Sequence, residues 1–134
     1  MVYVRKYLDD DFFDVKGIVD SAFNVNISKI ISTSNSFSLV AVSNDKIVGH
    51  VRIDCMYDTF KGINYFYIGY VCVDESFRRL GIGTLLIDEV IKIGEENDIS
   101  YIDLTSKSSK KEACSLYKKC GFEERGTQVF RRSL

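Results

Sequence analysis

The chain has 134 residues, of which 46% are hydrophobic and 28% charged, and its formal net charge at pH 7 is -1. These values suit one globular domain, and the low net charge excludes a protein-wide field that would attract nucleic acid or an anionic membrane. An anionic ligand therefore needs a local site. Because no proline, repeat or low-complexity segment marks a boundary, we expect a single domain over residues 1–134.

The four cysteines and the single histidine form no metal-ligand pattern. The cysteines make no C-x-x-C pair and stand at positions 55, 72, 114 and 120. The chain shows neither a secretory leader nor an apolar run of membrane-span length. We therefore expect reduced thiols, no metal, no membrane partner and a cytoplasmic location. His50 lies in a strand-like run and is interpreted as structural.

Strand and helix patterns alternate through the N-terminal part of the chain. Residues 2–7 alternate between apolar and polar side chains, which predicts a first strand. Asp9 to Asp11 then supply N-terminal charge for a helix whose apolar face runs to Phe23. Isoleucines at 27, 30 and 31 indicate a second, short helix.

Three strands are predicted next. Residues 37–42 and 46–56 form a hairpin around a Ser-Asn-Asp turn, and Gly49 in the second strand indicates a bend or bulge. Residues 64–73 form a long strand that ends in the apolar run Ile-Gly-Tyr-Val-Cys-Val. Such a run indicates burial on both faces.

Helix and strand patterns continue toward the C-terminus. We predict a helix over residues 84–96, a strand over 101–105 and a further helix that begins with the capping-box spacing Ser109-Lys-Lys-Glu. Gly121 suits the left-handed position that ends this helix. Two short strands around Gly126-Thr127 complete the order β-α-α-β-β-β-α-β-α-β-β. This order predicts a mixed α/β sheet with helices on both faces.

A glycine-containing turn joins the long strand to the helix over residues 84–96. Its spacing, Arg78-x-x-Gly81-x-Gly83, leaves the first amides of the helix without intrahelical partners, and the helix dipole adds partial positive charge. Glycines let a ligand approach closely. The turn is therefore predicted to cradle a phosphate, with Arg78 adding a charged fork. It is neither a P-loop nor a complete dinucleotide fingerprint, and a plain strand-to-helix turn is the alternative.

Five motifs follow one another with compact spacing from the long strand onward. They are Val71-Cys-Val73, Arg78-Arg-Leu-Gly81-Ile-Gly83, Leu104-Thr-Ser, Ala113-x-x-x-Tyr117 and Gly121-Phe122. Together they resemble the GNAT superfamily of N-acetyltransferases. The resemblance is specific over residues 46–134, whereas residues 1–45 match only in the order of their elements.

The resemblance implies a mixed, mostly antiparallel central sheet with a splayed strand pair and helices on both faces. It also implies acetyl-CoA as cosubstrate: the pantetheine arm would pair with the long strand, and the pyrophosphate would lie on the amides of the turn. An amide near Val73 would polarise the acetyl carbonyl. The implied cofactor-binding residues are Val71, Cys72, Val73, Arg78, Arg79, Leu80, Gly81, Ile82, Gly83, Thr84 and Lys110. Lys110 would meet a CoA phosphate, and a solvated lysine face is the alternative.

Tyr117 stands where the resemblance implies a general acid for the departing thiolate. A phenol is protonated at neutral pH and is acidic enough to donate its proton. The alternative is that Tyr117 only fills the apolar face of its helix. No cysteine stands where a covalent acyl-enzyme would be required. The implied reaction is therefore direct transfer, in a ternary complex, from acetyl-CoA to a primary amine of a small molecule or a protein.

The general base is not implied, because Gly69 and Tyr70 stand where some members of the family carry an acidic residue. The candidates are His50, Asp54, Tyr57, Asp58 and Tyr70. The acceptor side is expected over residues 20–36 and 57–64, where Asp58 beside aromatic residues suggests a rim suited to a cationic acceptor. The resemblance also favours a homodimer built partly from the last strands. A non-catalytic acyl-CoA-binding or regulatory domain is the alternative function.

Overall fold

The computed structural model describes all 134 residues. The strands are β1 (Val2–Lys6), β2 (Ser36–Ser43), β3 (Lys46–Asp58), β4 (Ile63–Val73) and β5 (Ile102–Asp103). The helices are α1 (Phe12–Phe23), α2 (Ile82–Glu96) and α3 (Lys111–Lys119). Short 3-10 turns over Asp9–Asp11 and Glu75–Phe77 lie before α1 and between β4 and α2.

The five strands form one sheet in the order β1-β2-β3-β4-β5. The first four are antiparallel neighbours, and β5 is parallel to β4. The parallel pairing covers only Phe66↔Ile102 and Tyr67↔Asp103, so β4 continues to Val73 without β5 beside it. The predicted mixed, mostly antiparallel sheet with a splayed strand pair is confirmed.

Helices cover both faces of this sheet, as predicted. α2 packs on one face, where Leu39 and Ala41 of β2 belong to a core of 11 buried residues. α1 packs on the other face, where Val40 and Val42 belong to a second core of seven. Because side chains alternate along β2, this strand contributes residues to both cores.

Two bulges bend the central strands. The first lies at Gly49, as predicted, since Ala41 pairs with Gly49 but Val42 pairs with Ile47. A Cβ on Gly49 would lie 3.0 Å from Leu86 Cδ1, so the missing side chain lets α2 approach the sheet. The second bulge lies in β4, where Tyr70 has a left-handed φ of +50°.

Three predicted local structures are wrong. Residues 27–31 form no helix, because the side chains of Lys16 and Asp20 bind the main chain of Ile27 and hold it away from helical geometry. The residues after Gly121 form no strands, because β5, at the sheet edge, has only two residues and offers no long edge for pairing. The capping box is absent as well.

The start of α3 explains the missing capping box. Lys110 is the N-cap residue and no side chain caps the helix, since Ser109 lies one residue too early. The main-chain carbonyl of Ser109 instead accepts from the Lys111 amide at 3.0 Å. The strand predicted over residues 101–105 is likewise shorter than expected, because the chain leaves β4 after Asp103.

Candidate functional site

The turn between β4 and α2 presents a continuous row of free amides. None of the backbone N–H groups from Arg79 to Thr84 donates a hydrogen bond within the chain, and the first helical bond runs from Leu85 N–H to Gly81 O at 3.1 Å. Arg79 and Gly81 both have left-handed φ values, of +65° and +81°. These two reversals turn successive amides outward, which is the geometry of an anion-binding turn at a helix N-terminus.

The side chains of this turn divide between the core and solvent. Ile82 is only 1% exposed and belongs to the core under α2, so it anchors the turn, whereas Leu80 is 69% exposed. The Arg79 side chain meets Glu112 of α3 at 3.3 Å, but both are largely exposed, so this pair contributes little to stability. The turn is thus fixed by its apolar anchor and offers main-chain donors.

Arg78 lies at the side of the turn that faces α1. Its Nε donates to the carbonyl oxygen of Val73 at 3.2 Å, and its side chain lines an open cavity of about 420 Å³ between α1 and the end of β4. Lys46 also lines this cavity and lies 3.8 Å from Asp74. Arg78, which directly precedes the amide row, therefore brings positive charge to it, while the Lys46 ammonium is paired with the Asp74 carboxylate.

Gly83 contacts α3. A Cβ at this position would lie 2.9 Å from Leu116 Cδ2, closer than real Cβ atoms approach. A Cβ on Gly81 would meet nothing within 4 Å, so Gly81 is required for its backbone conformation alone. The two glycines of the motif therefore have different roles: one shapes the turn, and the other seats the helix that carries Tyr117.

Tyr117 is half-buried on α3 and packs against the larger core. Its hydroxyl makes no hydrogen bond within the chain and is not sealed from solvent. Burial, and then the neighbouring thiols of Cys114 and Cys72, raises its pKa to about 12. The phenol is therefore neutral at physiological pH, and its proton is uncommitted.

The end of α3 holds Tyr117 in place. Gly121 has φ +93°, and its N–H donates to Lys118 O while the Phe122 N–H donates to Tyr117 O at 2.9 Å. This pair of bonds is a Schellman motif, which confirms the predicted role of Gly121. It turns the Phe122 ring edge-on to Tyr117, with centroids 5.9 Å apart.

The predicted pantetheine strand, Val71 to Val73, follows the β4 bulge where β5 no longer accompanies β4. Cys72 is 8% exposed, and burial raises the pKa of its thiol to about 12, so it is no nucleophile. Its thiol also contributes to the raised pKa of Tyr117. Strand β4 and helix α3 thus bring Cys72 and Tyr117 to the same region.

His50 is fully engaged inside the sheet. One ring nitrogen lies 2.8 Å from the Tyr70 carbonyl oxygen and the other 2.8 Å from Ser38 Oγ. Burial lowers its pKa to about 4. It is therefore neutral and has no free nitrogen with which to take a proton from an acceptor amine.

Two of the other candidate bases, Asp54 and Asp58, already accept hydrogen bonds within the chain. The carboxylate of Asp54 accepts from the Ser36 hydroxyl. Asp58 accepts from the amides of Phe60 and Lys61 and so builds the hairpin turn between β3 and β4. This turn lies seven residues along β4 from the bulge, about 20 Å away. The rim at residues 57–64 is therefore remote from the splayed end of the sheet.

Lys110 lies against α1. Its Nζ is 4.8 Å from the ring centroid of Phe23, and that ring lies edge-on to Tyr70 at 5.2 Å. Phe23 falls within residues 20–36, expected on the acceptor side, but the sequence did not single it out, because its spacing marks it only as one more apolar residue of α1. Nothing in the sequence signals that the loop before α3 reaches across to α1.

No helix of the protein is both long and apolar enough to cross a membrane. No group of three or more His, Cys, Asp or Glu side chains is arranged to hold a metal ion. The groups of this region that can contact a ligand include the amide row, Arg78 and the Tyr117 hydroxyl.

Residues 2–122 match the family described as Acetyltransferase (GNAT) family. The chain belongs to this GNAT acetyltransferase family. Over 83 residues it is 34% identical to an uncharacterized N-acetyltransferase of Methanocaldococcus jannaschii, a match that covers 61% of this chain and 37% of that protein. Over 93 residues it is 33% identical to human N-alpha-acetyltransferase 30, covering 69% of this chain and 25% of that protein. The chain thus spans well under half the length of these two GNAT relatives.

Solved acetyltransferase structures share the fold at low sequence identity. An aminoglycoside acetyltransferase from an uncultured soil metagenomic sample, crystallised with trehalose, superposes with a TM-score of 0.87 at 18% identity, covering 99% of this chain and 96% of that one. A ribosomal-protein-alanine N-acetyltransferase from Brucella melitensis biovar Abortus 2308 gives a TM-score of 0.84 at 16% identity, covering 99% of each chain. The names of these proteins span small-molecule and protein acceptors, so the GNAT fold leaves the acceptor open.

Proposed function

We propose that this chain, acting as a single domain over residues 1–134, is an N-acetyltransferase that moves the acetyl group of acetyl-CoA to a primary amine. The observation that carries the proposal is the row of unpartnered amides from Arg79 to Thr84 at the splayed end of the sheet. These amides have no partner within the chain and are open to a ligand, and their arrangement at a helix N-terminus suits a pyrophosphate. Membership of the acetyltransferase family supports the same ligand.

The donor would bind along three parts of the chain. The pyrophosphate would lie on the amide row, with Arg78 adding charge. The pantetheine arm would extend along Val71 to Val73 as an added strand, in the opening that β5 leaves. Lys110 would have to leave the Phe23 ring to meet a phosphate. The exposed cation–π contact is worth about 0.5–1 kcal/mol and a charge-assisted hydrogen bond about 1.5–3 kcal/mol, so the exchange is favourable.

Acetyl transfer would proceed directly in the ternary complex. The neutral amine attacks the thioester carbonyl, whose oxygen is stabilised by a main-chain amide near Val73. As the tetrahedral intermediate collapses, the C–S bond breaks and the Tyr117 hydroxyl donates a proton to the departing thiolate. The proton lost by the amine passes to water and restores the phenol. No metal is required by this sequence of steps.

The acceptor would approach from the α1 side, beside Phe23 and Tyr70. The names of relatives and structural neighbours support an aminoglycoside-like amine or a protein amine as the substrate class. Arg52 and Asp54 lie on the same face of the sheet, further along β3. The four free cysteines are consistent with a cytoplasmic place of action.

The test is a free-thiol release assay with acetyl-CoA and a panel of amines that includes polyamines, amino sugars, peptide N-termini and lysine side chains. Release of CoA that depends on one class of amine, with a product heavier by one acetyl group, is the expected result. Acetyl-CoA binding without release for any amine would favour the non-catalytic acyl-CoA-binding alternative. Absence of acetyl-CoA binding would overturn the proposal.

A further inference from the structure

The buried imidazole of His50 connects strands β2 and β4 across β3. Nδ1 lies 2.8 Å from the Tyr70 carbonyl oxygen, and Nε2 lies 2.8 Å from Ser38 Oγ. A carbonyl oxygen can only accept, so the ring proton is on Nδ1 and Nε2 accepts from the Ser38 hydroxyl. Arg52 donates to the same hydroxyl oxygen at 3.2 Å, which leaves the Ser38 proton for His50. The tautomer with its proton on Nδ1 therefore satisfies the hydrogen bonds of both ring nitrogens.

The carbonyl that His50 holds belongs to the bulge of β4. Tyr70 has φ +50°, a conformation that costs free energy for any residue with a Cβ. The pairing with β3 slips here, from His50↔Cys72 to Arg52↔Gly69. Such a backbone persists only where its surroundings fix it, and His50 supplies a hydrogen bond from the neighbouring strand while the Phe23 ring packs on the Tyr70 side chain at 5.2 Å.

The same peptide plane contains the Tyr70 carbonyl and the Val71 N–H. Because the peptide bond is planar, fixing the direction of the one group fixes the direction of the other. Val71 is the first residue of the strand segment beside which the pantetheine arm and the acetyl group are proposed to lie. We propose that His50 is a positioning residue, which holds the Tyr70 carbonyl and thereby sets the direction of the Val71 N–H toward the bound donor. This inference rests on the proposed acetyl transfer.

Two substitutions separate the two hydrogen bonds of His50. Asn places an amide nitrogen near the position of Nδ1, so His50→Asn can still donate to Tyr70. Gln places its nitrogen near Nε2, so His50→Gln can reach Ser38 but leaves the Tyr70 carbonyl without its donor. Both substitutions remove the imidazole ring from the core and so lose similar packing. If His50 served only in packing, the two variants would therefore have equal turnover.

The inference predicts unequal effects. We expect His50→Gln to lower turnover about 10²-fold, the loss that a misplaced reacting group produces, with the KM for acetyl-CoA changed less than about 3-fold. His50→Asn should stay within about 3-fold of the unmodified chain. Equal turnover in the two variants at equal thermal stability would overturn the inference.

Two further measurements keep the test decisive. In a Tyr70→Gly background the bulge needs no restraint, since glycine adopts positive φ freely, so the two His50 variants should fold and differ less than about 3-fold. If the difference in turnover between the two His50 variants stays about 10²-fold in this background, it does not come from the restraint on Tyr70, and the inference is overturned.

Hydrogen exchange of residues 70–73 in the free protein gives a readout without acetyl transfer: exchange should be faster in His50→Gln than in His50→Asn. If the unmodified chain releases no CoA with any amine, the proposed function fails, while equal exchange in the two variants would overturn the role of His50 in holding the bulge.

Discussion

Gly83 and Leu116 touch at the point where α3 crosses the first turn of α2. A Cβ on Gly83 would stand 2.9 Å from Leu116 Cδ2, and Leu116 directly precedes Tyr117. The second glycine of the turn therefore lets α3, which carries the proposed acid, pack closely against the start of α2. The glycine motif and the tyrosine motif, 34 positions apart in the sequence, meet here.

The first prediction concerns this contact. Gly83→Val should weaken acetyl-CoA binding by about 10- to 100-fold, because the side chain crowds Leu116 and displaces the turn and α3, at a cost of about 1–3 kcal/mol for overpacking. Calorimetric titration with acetyl-CoA measures the affinity. Adding Leu116→Ala to Gly83→Val makes room, and binding should return in part. If the double variant binds no better than the single one, the side chain at position 83 blocks the ligand directly.

The second prediction concerns the left-handed turn. Gly81→Ala places a Cβ on a residue with φ +81°, which costs about 1–2 kcal/mol and turns the amide row away from its ligand. The affinity for acetyl-CoA should fall about tenfold or more. Gly62→Ala is the matched control, since Gly62 also has a left-handed φ, of +67°, but lies in the remote β3–β4 turn. It should lower the melting temperature and leave the affinity unchanged. Equal loss of affinity in both variants would argue against an amide-row site.

The third prediction concerns the proposed acid. Tyr117→Phe removes only the hydroxyl, so turnover should fall roughly 10²-fold or more while acetyl-CoA affinity stays nearly intact. Thiol release and calorimetry measure the two quantities. Tyr101→Phe is the control, because Tyr101 stacks on Tyr65 at the remote end of β4. Unchanged turnover in Tyr117→Phe would show that Tyr117 is not the general acid and serves only in packing.

The fourth prediction concerns pH. The pKa of His50 is lowered by burial from its ordinary 6.5 to about 4, so the folded protein favours the neutral ring. The unfolded chain therefore binds more protons between pH 6.5 and pH 4, and the stability that His50 contributes is present above pH 6.5 and lost as the pH falls toward 4. The loss should reach about 3 kcal/mol. Urea unfolding at pH 7 and at pH 4, compared between the unmodified chain and His50→Asn, isolates this contribution. Parallel losses in the two proteins would contradict it.

The sequence predicted the features that local chemistry determines. Gly49 lies at the predicted bulge and has no Cβ to crowd Leu86, and Gly121 ends α3 with a positive φ. The turn at Gly81 was predicted from the spacing Arg78-x-x-Gly81-x-Gly83, whereas the splayed strands followed from the family resemblance. Each of these features depends on one residue or on one short motif.

The features that the sequence did not predict depend on contacts between distant segments. The bulge at Tyr70 is carried by a tyrosine, whose type gives no sign of a left-handed backbone, and its restraint comes from His50 on another strand. The isoleucines at 27, 30 and 31 have helical spacing, but Lys16 and Asp20 bind the main chain there instead. Tertiary hydrogen bonds outweighed local propensity in both places.

The hydroxyl of Tyr67 lies 2.9 Å from Thr105 Oγ1, next to the point where the pairing of β4 with β5 ends. A donor bound along β4 as proposed would enter beside Val73, and this pair would close the far end of the opening. The acyl group would then lie between the Tyr70 bulge and the Tyr67–Thr105 bond. Short acyl groups would fit there, whereas a long fatty acyl chain would have to break the bond that joins the two strands.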